Sequence, residues 1–220
     1  MSTTRTPLAG LTVALALLSG CRSEPAPAPA PLSELPPRTS PAAASSDRMR
    51  WKDAGERILL EIGAKSEGEY RIYDPDDAPL GEIRVQEDRV KLKDAQDVEV
   101  RKVKRKQDGG AEIEDAAGER LFRIELDPDG TYKLRDAADV TLVKAKPKDD
   151  GYEVRDAAGA TLAKVKVRVG KLSFETEAGQ DLGELKGVTD ARAGMWLAAE
   201  PLSLPERAAL VVYFLEVERR

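Results

Sequence analysis

Between residues 47 and 188 the chain alternates apolar and charged residues with a period of two, interrupted at regular intervals by short runs of Asp, Ala and Gly. Tyr132-Lys133-Leu134-Arg135-Asp136 and Tyr152-Glu153-Val154-Arg155-Asp156 show the pattern. Such alternation predicts strands with one buried and one wet face. Aligned on an apolar residue two places before an acid, the segments form a repeat. That residue is Ile72, Leu92, Ile113, Leu134, Val154 and Phe174, at steps of 20, 21, 21, 20 and 20. The acid is Asp74, Asp94, Asp115, Asp136 and Asp156, with Thr176 breaking the series. Three residues on comes Asp77, Asp97, Gly118, Asp139, Gly159 or Gly179, then Leu80, Val100, Leu121, Leu142, Leu162 and Leu182 after three more. A further three reach Ile83, Val103, Ile124, Ala145, Val165 and Leu185. Met49, Trp51, Asp53, Leu59 and Ile62 lie 21 residues before Tyr70, Ile72, Asp74, Leu80 and Ile83, a weaker seventh copy.

Each unit reads as a β-hairpin. Asp-x-x-Gly suits a type I turn, with Asp opening it and a residue of positive φ closing it, a conformation Asp tolerates better than most. On the return strand the apolar spacing of three and then two, as in Leu121, Ile124 and Leu126, predicts a β-bulge. Six or seven hairpins make 12 to 14 antiparallel strands, more than an open sheet holds comfortably, so the sheet is expected to close.

After the repeats, Ser203-Leu204-Pro205-Glu206 has the form of a capping box and opens a helix through Arg207–Val217. Residues 208 to 215 are apolar on every side, which predicts complete burial. At about 20 Å the helix is too short to span a bilayer, so the protein itself has to surround it. A barrel of about 12 strands has room for a helix roughly 10 Å across. The expected fold is mainly β: a closed antiparallel barrel of about 12 strands around a buried C-terminal helix, with residues 189–220 belonging to the same domain. This plan resembles the tubby-like superfamily, which includes phospholipid scramblases and plant LURP-one-related proteins. Tyr70-Arg71-Ile72-Tyr73-Asp74 and the segment from Glu112 to Ile124 carry the likeness, which covers about residues 57 to 218. It implies the fold, and it carries over no site residue.

The first 20 residues have a different pattern. Arg5 precedes an apolar run, Pro7 to Leu18, that is shorter than the roughly 20 residues a membrane-spanning helix needs. Leu18-Ser19-Gly20-Cys21 follows and resembles the bacterial lipobox, which implies cleavage between Gly20 and Cys21 and acylation of Cys21. Several acyl chains hold a soluble domain at a membrane. The alternative is an ordinary leader with an incidental cysteine. Arg22 stands where an inner-membrane retention Asp would be, so the resemblance favours the outer membrane, periplasmic side or cell surface. Residues 22 to 46 are mostly Pro, Ala and Ser with almost no large apolar side chains, an extended spacer reaching at most roughly 75 Å.

Composition narrows the chemistry. Histidine is absent and Cys21 is the single cysteine, which removes disulfides, Cys/His zinc sites and Ser-His or Cys-His pairs. A net charge of −5 with 34% charged residues argues against generic nucleic-acid binding. No cofactor and no metal is expected. The acidic turns Asp74 to Asp77, Asp94 to Asp97 and Asp127 to Gly130 offer oxygen ligands to calcium, but fall where the repeat needs turn residues. Trp51 and Trp196 read as core or interface residues rather than sugar platforms. The return strands are basic: Arg101, Lys102 and Lys104; Lys144 and Lys146; Lys164, Lys166 and Arg168. Gathered on one face they would bind a polyanion; dispersed, they are a solvated wall paired with neighbouring acids. The first reading is therefore a non-catalytic, membrane-anchored envelope lipoprotein that binds anionic lipid, a wall polymer or another envelope protein. A second is an Asp/Glu-dependent hydrolase or transferase, and a third, a small-ligand carrier, is disfavoured by the helix filling the barrel.

Overall fold

Local turn chemistry builds the first layer of the structure, a computed structural model that describes residues 48–218. The Asp74 carbonyl accepts from the Asp77 N–H at 3.1 Å, and the Asp74 N–H donates to the Ala78 carbonyl at 2.9 Å. The Asp74 carboxylate folds over the turn and accepts from the N–H groups of Asp76 (2.9 Å) and Ala78 (2.8 Å). Asp94 and Asp136 do the same in their own turns. The closing residue is left-handed whether it is Gly118, Gly159 and Gly179 or Asp77, Asp97 and Asp139. Thr176, the one departure in the acid series, keeps the chemistry, its Oγ1 accepting from the Gln180 N–H at 3.0 Å. These acids are thus committed to backbone amides, as the turn reading requires, and no three acidic side chains among the described residues converge into a cation site.

The turns join β1 (Met49–Asp53) to β2 (Ile58–Ser66), β3 (Glu69–Tyr73) to β4 (Pro79–Val85), and β5 (Arg89–Asp94) to β6 (Glu99–Arg105). They also join β7 (Ala111–Asp115) to β8 (Arg120–Leu126), β9 (Tyr132–Asp136) to β10 (Thr141–Lys148), β11 (Gly151–Asp156) to β12 (Thr161–Arg168), and β13 (Lys171–Glu175) to β14 (Asp181–Lys186). Every hairpin slips register at one place on its return strand. In β3–β4, Ile72 faces Gly81 while Tyr73 faces Pro79, leaving Leu80 as the extra residue. Leu59, Val100, Leu121, Leu142, Leu162 and Leu182 hold the equivalent place. The expected bulge therefore recurs in all seven hairpins, and the twist each one adds curls the sheet toward closure.

Closure comes where β1 pairs β14, Trp51 lying opposite Leu185 and Arg50 opposite Lys186. The barrel has 14 strands, not about 12, because the weak copy at residues 49 to 62 is a full hairpin that pairs β14 on one side and β3 on the other. Its turn carries Glu56 in the left-handed slot, which is why the copy is hard to see in the sequence.

The wider ring takes two helical passes where one was expected. Asp190 caps α1 (Ala191–Gly194), a 3-10 turn Met195–Ala198 follows, and α2 (Leu204–Glu216) returns. Glu206 accepts from the Ser203 N–H at 2.8 Å, completing the capping box, and also from Arg101 at 2.6 Å near the Asp-turn end of the barrel. At the opposite end, where β1 begins, the Tyr213 hydroxyl donates to the Gly110 carbonyl and Tyr70 donates to Glu216 at 2.6 Å. Ala208 to Phe214 are fully buried, as their all-round apolar pattern requires. Trp196 stacks on Phe214 at 5.7 Å, and Tyr132 meets both edge-on. Gly194 lets α1 approach the wall: a Cβ there would come within 2.1 Å of Leu172 Cδ1.

Candidate functional site

With its interior occupied by its own helices, the barrel offers its outside. The inward residues of the strands form the apolar core, and the alternate, outward positions are charged, the reverse of a membrane-spanning barrel with its apolar outer band. Among the described residues no helix is long and apolar enough to cross a membrane.

Strand register decides which charges meet. On the side of β14 and β1 to β4, outward glutamates sit among cations. Glu61 binds Arg48 at 2.7 Å and Arg50 at 2.8 Å, Glu82 binds Lys65 at 2.8 Å and Arg84 at 3.2 Å, and Glu184 binds Lys171 and Lys186. Lys65 is the main cause holding the Glu82 carboxyl below its ordinary range, and Lys171 plays that part for Glu184. Around β9 to β12 the composition changes. Lys144 of β10 lies opposite Lys133 of β9 on one side and Arg155 of β11 on the other, three cations abreast at about 4.8 Å per strand. Lys133 is tied to Asp127 at 2.6 Å and Arg155 to Glu153, whereas neither Lys144 nor Lys146 forms an ion pair among the described residues. Glu153, the one acid outward on β11 here, is drawn down to about 2 by Lys148 and then Arg155 against the opposing effect of burial. A concavity of about 700 Å³ lies beside this row, lined in part by Lys148, Asp150, Glu153, Lys164 and Lys166.

The eight basic residues singled out from the sequence do not form one surface. Arg101, Lys102 and Lys104 stand on β6, paired with Glu206 (2.6 Å), Glu99 (3.1 Å) and Glu114 (2.6 Å), a neutralised stretch of wall. Lys144, Lys146, Lys164, Lys166 and Arg168 come together on β10 and β12. There Lys164 donates to the Glu177 carbonyl at 2.9 Å, Lys166 pairs with Glu175 at 2.6 Å, and Arg168 lies 3.6 Å from Asp150. Sequence reasoning confined to return strands missed Lys133 and Arg155, which the outgoing strands contribute. The signal was present in the hairpin register, since Lys133 and Arg155 each sit one residue from the inward position of the repeat.

Cys21 and Gly20 lie outside the described residues. Trp196 is in the core and Trp51 packs on Phe174 at 6.4 Å, as core residues should. The carboxyl group of Glu218, at the end where β1 begins, is pushed up by burial.

No protein-family model and no curated protein matches this chain. Among solved structures the chain is similar to an X-ray structure of a protein from Arabidopsis thaliana, at a TM-score of 0.38 and 10% sequence identity, over 67% of this chain and 85% of that one. A likeness of that degree bears on neither fold nor function.

Proposed function

We propose that the protein is a non-catalytic binding module of the bacterial envelope, held at a membrane through acylated Cys21 and presenting the β9–β12 wall to an anionic glycan. The row Lys133–Lys144–Arg155 carries this reading. Like charges directly opposite one another destabilise a sheet, and a polymer bearing phosphate or carboxylate groups would relieve that repulsion. The exposed large apolar side chains of this wall, Val140 and Val167, stand at its ends rather than beside the lysine row, which favours a soluble polymer over a bilayer. The leader, the lipobox residues and the Pro/Ala spacer support the anchor, and the filled interior supports an outer rather than an enclosed site.

The test is calorimetric titration of the full chain with the phosphorylated core oligosaccharide of lipopolysaccharide and with its dephosphorylated form. Lys144→Glu is expected to weaken binding of the phosphorylated probe by about tenfold, and Lys102→Glu on the neutralised β6 wall to leave it unchanged. Equal losses in both variants, or equal binding of both probes, would overturn the glycan site. The anchor is tested separately by metabolic labelling with a fatty-acid probe: label on the wild type that disappears in Cys21→Ala supports it, and an unlabelled wild type removes it.

A further inference from the structure

Val169 is completely exposed at the tip of the β12–β13 turn, and Val167 beside it is 40% exposed. A β-branched apolar residue standing free at a hairpin tip gains nothing from folding. Its surroundings are basic: from Ala163 to Phe174 the chain has Lys164, Lys166, Arg168 and Lys171 and no acid. Register extends the charge across the rim. Arg168 faces Lys171, Lys171 faces Lys186 and Lys186 faces Arg50, so four outward cations on adjacent strands form a row about 15 Å long. The partners of the two lysines lie deeper, Glu184 being two residues farther from the rim than Lys186. Arg50 holds Glu61 at 2.8 Å, and Asp150 of the neighbouring turn is 3.6 Å from Arg168.

β1 begins at this same rim, Met49 lying next to Gly187. The other exposed large apolar residues, Val98, Val140, Leu182 and Leu204, sit at the opposite end among the Asp turns. The rim around Val169 has acids as well, in the turns at Glu67, Glu87-Asp88, Asp108, Asp127 and Asp149-Asp150, so it is the β12–β1 sector with its apolar tip and cation row, and not the whole end, that suits an anionic surface.

We propose that the β12–β1 sector of this rim docks on an anionic lipid surface, with Val169 inserted below the headgroups and the Arg168–Lys171–Lys186–Arg50 row on the lipid phosphates. The valine and the four cations together are expected to bind such a surface measurably without acyl chains, and a chain already held at the membrane would be oriented by the same contacts at its high effective concentration there. The docking extends the membrane-anchored reading, and an unacylated chain separates the two.

The experiment is flotation of the full-length Cys21→Ala chain with vesicles of phosphatidylglycerol and phosphatidylethanolamine, against vesicles of phosphatidylcholine. Binding to the first and not to the second is expected, whatever the result of acyl labelling. Val169→Asp should weaken that binding at least about tenfold and Arg168→Glu about fivefold or more, while Val140→Asp at the opposite end leaves it unchanged. In a Val169→Trp chain, phosphatidylglycerol vesicles should shift the emission of the new indole to the blue. No binding to the anionic vesicles, an equal loss in Val140→Asp, or an indole whose emission stays put would each overturn the proposal.

Discussion

One position of the repeat, the residue just before the inward apolar residue of each return strand, separates the two halves of the wall. In β2, β4 and β14 it is Glu61, Glu82 and Glu184; in β6, β8, β10 and β12 it is Lys102, Arg123, Lys144 and Lys164. Backbone, bulge and turn are alike in both sets. The glutamates are nearly buried, at 6%, 9% and 8% exposure, under cations from their own and neighbouring strands. Lys144 instead lies between two further cations. A repeat that must keep its inner face apolar and its turns acidic leaves the outer face free, so charge can be distributed around the circumference without disturbing the barrel. The glutamate sector is knit by ion pairs, and the lysine sector is the one whose wall is proposed to bind a glycan.

The inner layer should be indifferent to this division. Ile83→Ala behind the glutamate sector and Leu134→Ala behind the lysine sector are each expected to cost about 2–4 kcal/mol, with little dependence on salt, in urea denaturation. A large difference between them would mean that the sectors differ in more than charge. The outer layer should divide sharply. Glu61→Ala leaves Arg50 without its acid, while Arg48 keeps Asp77 at 2.6 Å, and should cost about 1 kcal/mol, falling as salt is added.

Acid should then act on the glutamates selectively. Glu82, Glu153 and Glu184 have folded-state values below the ordinary carboxylate range, so their contribution is complete above that range and is lost as pH falls toward the folded values, about 2 for Glu153. Denaturation midpoints of the wild type should therefore drop through that acid window. A chain with all three changed to Gln should start lower and show a flatter profile.

The smallest effect has the opposite sign. Lys144→Glu gives Lys133 and Arg155 a further acid partner and should stabilise the fold by up to about 1 kcal/mol, while weakening the anionic-polymer site about tenfold. A variant that is both more stable and weaker in binding would show that the lysine row exists for binding. Destabilisation would show instead that the row is already compensated within the fold.

The wall was legible in the sequence because its signals are local. Alternation, the Asp that closes its own turn, and the Leu that marks the bulge all act within a few residues, and each was found where the repeat placed it. The helix at Leu204–Glu216 was legible for a related reason, since Ser203 and Glu206 fix its start and an all-apolar surface admits one destination. The number of strands was not. Whether β3 or β1 completes the ring depends on contacts between residues more than a hundred positions apart, and the first hairpin is marked only faintly. The second helical pass follows from that number, because a wider ring has more volume to fill. The grouping of the charges also waited on the closed sheet. Sequence spacing showed which residues point outward; only the register between strands decided that Glu61 meets Arg48 and Arg50 while Lys144 meets Lys133 and Arg155, since a charge responds to whatever lies about 5 Å across the ladder rather than to its neighbours along the chain.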